Sequence, residues 1–512
     1  MTKGESAIRN PTSTIVWLLF AVAILVVYFA GLTIPLVGPD EPRYAQVARE
    51  MFERGDWITP TLGGFHWFEK PALLYWLEIS AYNLFGISEF SARLGSVLFG
   101  LGTIASLWIL GRNVEPAEAN NGRQWTNEFA NWLALVAAST VGIVAFAHGA
   151  SFDIILTFPL TAALVSFFLY DLKRRNAWLV SFYFFVGVAI LAKGLIGIVF
   201  PFAIVGFYHV VAWKFPNRAL SSSFFWGTAL AIAVACTWYL PMYLRHGWEF
   251  VDQFFIQHHF QRYTSNKYLH PQPFYFFFWV LPLMTIPWLP FFIAALWDLG
   301  KRSVIEATSN QNDVADAALG IDPAIRSLQL FALAWLAVPL VFFSFSGSKL
   351  PGYILPAVPA AVLLAAEYIY RFVQKNSFRK YGVQAIAAGT LAVILIAIIV
   401  FVPRFAETDS LKSLFAVAHV RGLDGLPVMT MHRVNHNAEF YATGPLVRDP
   451  EGKQNRLTGP KEVLEEMRIL GTSMTLVLIP PEYLFHLTQS DMIRTEVLQS
   501  NEDWTLTLVS EK

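Results

Sequence analysis

Along its length the chain alternates between uncharged apolar runs of about 20 residues and short polar joints, the pattern of α-helices that cross a bilayer. Scanned with a window of roughly 19 residues, apolar runs fall at 15–36, 94–111, 129–147, 154–170, 178–191, 196–213, 224–244, 273–297, 328–343, 353–370 and 383–402. Several are short or close together, so the pattern predicts eleven to thirteen spans. The first run, at roughly 20 residues, is long for the apolar stretch of a signal peptide and has no clear small-x-small cleavage site behind it. It reads as a retained first helix.

The joints alternate in charge. One set carries Lys3 and Arg9, Arg112 and Arg123, Lys173 to Arg175, Lys214 and Arg218, Lys301, Arg302 and Arg326, and Arg371, Lys375, Arg379 and Lys380. The short joints of the other set carry little more than Lys193 and Lys349. By the positive-inside rule the N-terminus is cytoplasmic, and an odd number of spans puts everything after about residue 403 outside. Two outward joints, 37–91 and 245–272, are too long for turns, and long ordered loops are usually functional. The tail is polar, with a helix-like stretch at 461–470 and strand-like stretches at 474–479 and 504–509. The division is a transmembrane domain over 1–403 and a small α/β periplasmic domain over 404–512.

Within the first outer loop, Asp40 can cap a helix that has Pro42 in its first turn and Gly55 past its end. Tyr44, Val47, Ala48, Met51 and Phe52 recur at helical spacing and make one apolar face, so the helix is expected to lie in the membrane interface. That places Asp40, Glu41 and Arg43 at the depth of lipid headgroups. A second group, Phe68-Glu69-Lys70-Pro71, precedes another helix-like stretch ended by Gly86. Capping and interfacial anchoring are the plain alternative for both clusters, and for Tyr44 and Trp76.

Composition narrows the class. The chain is 55% hydrophobic and 14% charged with no net charge, where a soluble domain carries roughly a quarter charged residues. No basic field invites a nucleic acid. A single cysteine, Cys236, rules out an internal disulfide and any cysteine-based zinc site. No phosphate-binding loop, dinucleotide fingerprint or HExxH is present, which leaves ATP-driven transport, dehydrogenation and zinc proteolysis without sequence support.

Gly38-Pro39-Asp40-Glu41-Pro42-Arg43-Tyr44-Ala45, Gly55-Asp56-Trp57, Phe68-Glu69-Lys70-Pro71 and Tyr75-Trp76 resemble the bacterial aminoarabinose lipid A transferase family. The resemblance continues through Ser151-Phe152-Asp153, Ala192-Lys193-Gly194, His258-His259-Phe260-Gln261-Arg262-Tyr263 and the stretch from Ser348 to Pro356. That family is related to the protein O-mannosyltransferases, among membrane glycosyltransferases of the GT-C fold. It implies an all-α polytopic membrane bundle with interfacial helices, which moves a sugar from undecaprenyl phosphate to a lipid A phosphate outside the inner membrane, as a monomer. By resemblance, Asp40, Arg43 and Asp153 belong to the catalytic pocket. Lys70, Lys193, Arg262 and Lys349 resemble contacts to carrier or acceptor phosphate, and Tyr44 and Tyr353 resemble donor-cavity residues. Glu69 with His259 or His258 resembles a pair of ligands for a divalent, zinc-like metal; no other cofactor is implied.

The reaction would need cations for the leaving phosphate, supplied well by Arg and Lys. A phosphate acceptor is largely dianionic at pH 7 and needs little base, whereas a protein or polysaccharide hydroxyl needs one, and Asp40 is the candidate. Plainer readings stand beside these: Asp153 as a helix cap, Lys193 as a snorkelling side chain, Lys349 as a helix end, the histidines as ordinary loop residues. A transporter is the competing class, but it would show internal repeats and broken helices at mid-membrane.

Overall fold

Each of the eleven apolar runs falls on a helix or a bent pair of helices in the computed structural model, which describes residues 11–114, 127–261, 271–308 and 322–512. Among the described residues seven helices are long and apolar enough to span a bilayer. Two further candidates are bent pairs, Glu128–Ala138 with Val141–Ala147 at 61° and Phe276–Met284 with Leu289–Arg302 at 117°, and Thr14–Phe29 and Ile196–Val211 are shorter apolar helices. The first bend has a local cause: Ser139 and Thr140 turn their hydroxyls back onto the carbonyls of Leu135 and Val136, competing with the helical ladder.

The chain divides into two compact units. The first holds residues up to Ala30, then Glu69–Leu74 and Gly95–Leu395. Among the described residues it is built of helices and turns without a strand, and its core is Phe, Leu, Ala and Trp, with Trp132, Trp238, Trp288 and Trp335 fully buried. The helices Phe152–Lys173 and Asn176–Lys193 are joined by only Arg174 and Arg175, so they run antiparallel side by side.

The second unit holds Gly31–Phe68, Tyr75–Leu94 and Ile396–Lys512. Its outer-loop helix runs Asp40–Glu53 and buries Tyr44, Val47, Ala48 and Met51, the face predicted from their spacing. Asp40 does not cap this helix as the sequence suggested: it is the first helical residue, no side chain caps the end, and Asp40 turns to Arg43. A short hairpin follows, β1 (Thr61–Leu62) and β2 (Phe65–His66).

The tail folds around a five-stranded sheet. The strands are β3 (Val428–Met431), β4 (Arg456–Leu457), β5 (Met474–Ile479), β6 (Ile493–Ser500) and β7 (Thr505–Glu511), in the order β4-β3-β5-β7-β6. β3 runs parallel to β4 and β5, and β7 antiparallel to β5 and β6. Alternation along β5 explains the two-sided core: Leu476 and Leu478 join Leu414, Phe415 and Trp504 on one face, while Val477 and Ile479 join Val463 and Met467 on the other. A helix therefore covers each face, Lys412–Val420 and Pro460–Ile469.

Candidate functional site

In the second unit, chemistry gathers at the start of the outer-loop helix. Asp40 and Arg43 lie three residues apart on one helical face, and a guanidinium nitrogen of Arg43 meets an Asp40 carboxylate oxygen at 2.5 Å. Arg43 is itself fixed: its Nε donates to the Pro39 carbonyl at 2.8 Å, and its guanidinium carbon stands 5.7 Å from the centre of the Trp67 ring. The Asp40 side chain keeps 51% of its surface exposed while that of Arg43 keeps 20%, so a held cation presents a half-open carboxylate. Tyr44 is buried in the packed face of the helix.

The chain leading into Asp40 is tied down backbone group by backbone group. The Leu36 N–H donates to the Tyr441 hydroxyl at 2.7 Å, the Val37 N–H to Glu41 at 3.0 Å and the Gly38 N–H to Asp409 at 2.7 Å. Gly38 holds φ at 67° in open space, so it is this backbone angle, and not crowding, that calls for glycine. Arg93, 4% exposed, donates to both carboxylate oxygens of Glu41, at 3.1 and 2.8 Å, and to the carbonyls of Leu32, Ile34 and Pro35. Sequence reasoning passed over Arg93, Asp409 and Tyr441. A charge at the start of an apolar run was the available signal for Arg93.

Glu78 is fully buried in the same unit, and neither of its carboxylate oxygens makes a hydrogen bond among the described residues. Burial, with the neighbouring charge of Glu41, holds its carboxyl well above the usual carboxylate range. The far end of the outer-loop helix lines a polar cavity of about 370 Å³, through Gln46, Arg49, Glu50 and Glu53 with Thr443 and Arg448. Both arginines there are already paired, Arg49 with Glu53 and Arg448 with Glu439, so this cavity offers no spare cation to a phosphate.

In the first unit a second cluster forms because neighbouring antiparallel helices bring their ends level. Ser151 caps the helix Phe152–Lys173, accepting from the Asp153 N–H at 3.2 Å. Asp153 is thus free of capping duty, and its carboxylate pairs with Lys193, the last residue of the next helix. Gly194, at φ 64°, stops that helix directly after Lys193. The ammonium also stands 5.1 Å from the centre of the Tyr353 ring. A Cβ on Gly352 would collide with the Asp153 carboxylate and the Phe146 ring, so glycine is needed there for space. Asp153, Lys193 and Tyr353, far apart in sequence, are brought together.

The remaining candidates are more scattered. Glu69 and Lys70 are half-buried in a turn before the helix Leu73–Phe85. Lys349 is 6% exposed and donates to the carbonyls of Gln272 and Ser346 at 3.1 and 2.6 Å; burial pushes its ammonium pKa down. The side chains of His258 and His259, and all of Arg262, lie outside the described residues. Among the described residues no group of three or more His, Cys, Asp or Glu is arranged around a possible metal.

Comparison with known proteins agrees with this architecture. Residues 13–253 match the family model for dolichyl-phosphate-mannose-protein mannosyltransferases. Undecaprenyl phosphate-α-4-amino-4-deoxy-L-arabinose arabinosyl transferases are similar over most of the chain. The one from Serratia proteamaculans is 30% identical over 394 residues, covering 74% of this chain and 64% of its own length. The one from Aeromonas salmonicida is 28% identical over 375 residues, covering 71% and 62%. The chain thus spans a little under two thirds of the length of these relatives. The crystal structure of ArnT from Cupriavidus metallidurans bound to undecaprenyl phosphate superposes with a TM-score of 0.75 at 23% identity, covering 97% of this chain and 98% of that one. The fold is therefore shared along nearly the whole length.

Proposed function

We propose that this chain, a multi-pass membrane relative of the aminoarabinose transferases, is a glycosyltransferase using a sugar carried on undecaprenyl phosphate. The sugar is an aminosugar such as 4-amino-4-deoxy-L-arabinose, and the acceptor is a lipid A phosphate. The observation that carries the reading is the Asp40–Arg43 pair, a half-open carboxylate oriented by a cation that is itself fixed on a backbone carbonyl.

In the reaction the acceptor oxygen attacks the anomeric carbon, a new C–O bond forms there, and the bond from that carbon to the carrier phosphate breaks. The electron pair leaves with polyprenyl phosphate. Stabilising this developing charge is the main demand, and fixed cations meet it best. Lys70, Lys193 and Arg262 take that role. Lys193 is suited to it because one carboxylate and one aromatic face hold its ammonium without enclosing it, its side chain being 14% exposed. A phosphate acceptor at pH 7 arrives largely deprotonated, so Asp40 then orients; with a hydroxyl acceptor Asp40 takes the proton. A zinc-like divalent metal would be held by Glu69 with His259 or His258; a half-buried carboxylate of the Glu69 type suits such a metal. The metal would supply fixed positive charge near phosphate.

The same reading puts the protein in the bacterial inner membrane as a monomer, the N-terminus cytoplasmic and residues 404–512 a periplasmic domain. The test is mass spectrometry of lipid A from cells making the protein or its D40N variant. A sugar-sized mass on lipid A phosphate that disappears in D40N is expected. Unmodified lipid A in cells that make the protein would overturn the acceptor assignment. It would favour a protein or polysaccharide hydroxyl, the reading supported by the match to the protein mannosyltransferase model.

A further inference from the structure

Three consecutive backbone N–H groups, those of Leu36, Val37 and Gly38, precede Asp40 with only Pro39 between, and proline has no N–H to give. Each of the three donates to a side chain, and two of those acceptors lie far downstream, Asp409 at the end of the helical stretch Ser377–Asp409 and Tyr441 beyond it. Both are held from behind. The Tyr441 hydroxyl, accepting from Leu36, donates to Glu89 at 3.0 Å, and Glu89 also takes the Lys412 ammonium at 2.6 Å. Burial, with Glu89 beside it, pushes the Tyr441 phenol up, so it remains a donor across the working pH range. The Asp409 backbone carbonyl accepts from Asn437, which is 3% exposed. Leu36 itself is fully buried in a small core with Ala45, Ala92 and Phe440, Phe440 being the residue before Tyr441.

We infer that Asp409 and Tyr441 are positioning residues for Asp40, so that the tail domain sets the geometry of the reacting carboxylate. The proposal rests on the assignment of Asp40 under the proposed function. Asp40 is exposed and is held by a side-chain partner on its own helix alone among the described contacts. Its place in space is therefore set by where the helix begins, and the three tethered amides fix that start together with the Arg93–Glu41 pair. A displacement of about 1 Å in a reacting group costs on the order of a hundredfold in rate.

The experiment uses the full chain in mild detergent, with D409A, D409N, Y441F and D40N measured together. Amide exchange by mass spectrometry reads the tethers directly. Faster exchange is expected in peptides covering 34–44 for D409A and Y441F, with exchange in β5 and β7 unchanged, because the sheet core does not use these bonds. Transfer is then assayed with undecaprenyl-phosphate-linked 4-amino-4-deoxy-L-arabinose as donor and lipid A as acceptor. We expect D409A and Y441F to lose about ten- to a hundredfold in kcat with donor KM unchanged. D409N, whose amide oxygen still accepts from Gly38, should recover most of that loss. Wild-type exchange at 34–44 in D409A and Y441F overturns the proposal, as does wild-type kcat in both while D40N is inactive. A loss that D409N shares in full, with faster exchange across the sheet, makes the role merely structural and overturns it too. A fully active D40N, or a wild-type chain silent with this donor, refutes the proposed function instead, and the exchange result still decides the tether.

Discussion

Removing the Arg93 guanidinium should be among the most damaging single changes outside the apolar core. The side chains of Arg93 and Glu41 are 5% and 11% exposed, and the guanidinium reaches both carboxylate oxygens, the shorter contact being 2.8 Å. Two unit charges about 4 Å apart attract by about 4 kcal/mol at an effective dielectric of about 20. Breaking a buried pair by deleting one partner costs about 3–5 kcal/mol, because the other charge is left uncompensated. R93L additionally strips a donor from the carbonyls of Leu32, Ile34 and Pro35. The expected loss is therefore about 4 kcal/mol or more. The double variant E41Q/R93L should be less damaged than R93L, since the glutamine side chain carries no charge and its amide oxygen still accepts from the Val37 N–H. Thermal melting of the purified chain in mild detergent, with wild type, E41Q, R93L and the double variant side by side, reads the order directly. If R93L melts with wild type, or the double variant melts no higher than R93L, the buried charge is not what holds this segment and the reasoning fails.

Three further expectations can be checked by comparable means. On the proposed reaction, D153N and K193M should each lower transfer at least tenfold through loss of an oriented charge, read by mass spectrometry of lipid A; wild-type turnover in both would remove this cluster from the site. Glu78, with its folded-state pKa raised, contributes stability that is complete below its unfolded pKa and is lost as pH rises through the folded pKa. E78Q should thus match wild type at acidic pH and melt higher than it at alkaline pH, and parallel melting curves across pH would contradict the buried protonated acid. K349M leaves the carbonyls of Gln272 and Ser346 without their donor and should cost about 1–3 kcal/mol in stability with donor KM unchanged. A rise in KM without loss of stability would mark Lys349 as a phosphate contact.

Features governed by local periodicity could be read from the sequence: the apolar runs, the buried face of the helix at 40–53, the strands at 474–479 and 504–509. Bends could not, because a hydropathy window averages across the Ser139–Thr140 break and across the 117° turn before Leu289. Motif resemblance found Asp153, Lys193 and Tyr353 individually, and only the fold shows that two antiparallel helices and the distant turn Pro351–Ala357 make them one cluster. Asp40 is open from the sequence to a capping role beside its catalytic one, since aspartate favours helix N-caps; in the structure its carboxylate pairs with Arg43 instead. Asp409 and Tyr441 were invisible for a different reason. They are ordinary polar residues in a polar stretch, and their importance lies wholly in which distant amides they meet.

Those distances along the chain have a consequence for biosynthesis. The amides of Gly38 and Leu36 are made early, whereas their partners lie 371 and 405 residues downstream. During synthesis the segment before Asp40 must wait, with most of the helices inserted, until the chain as far as Tyr441 has emerged. A ribosome that stalls late, or a protease that trims the tail, would leave a membrane protein with its bundle in place and its Asp40 loop untied.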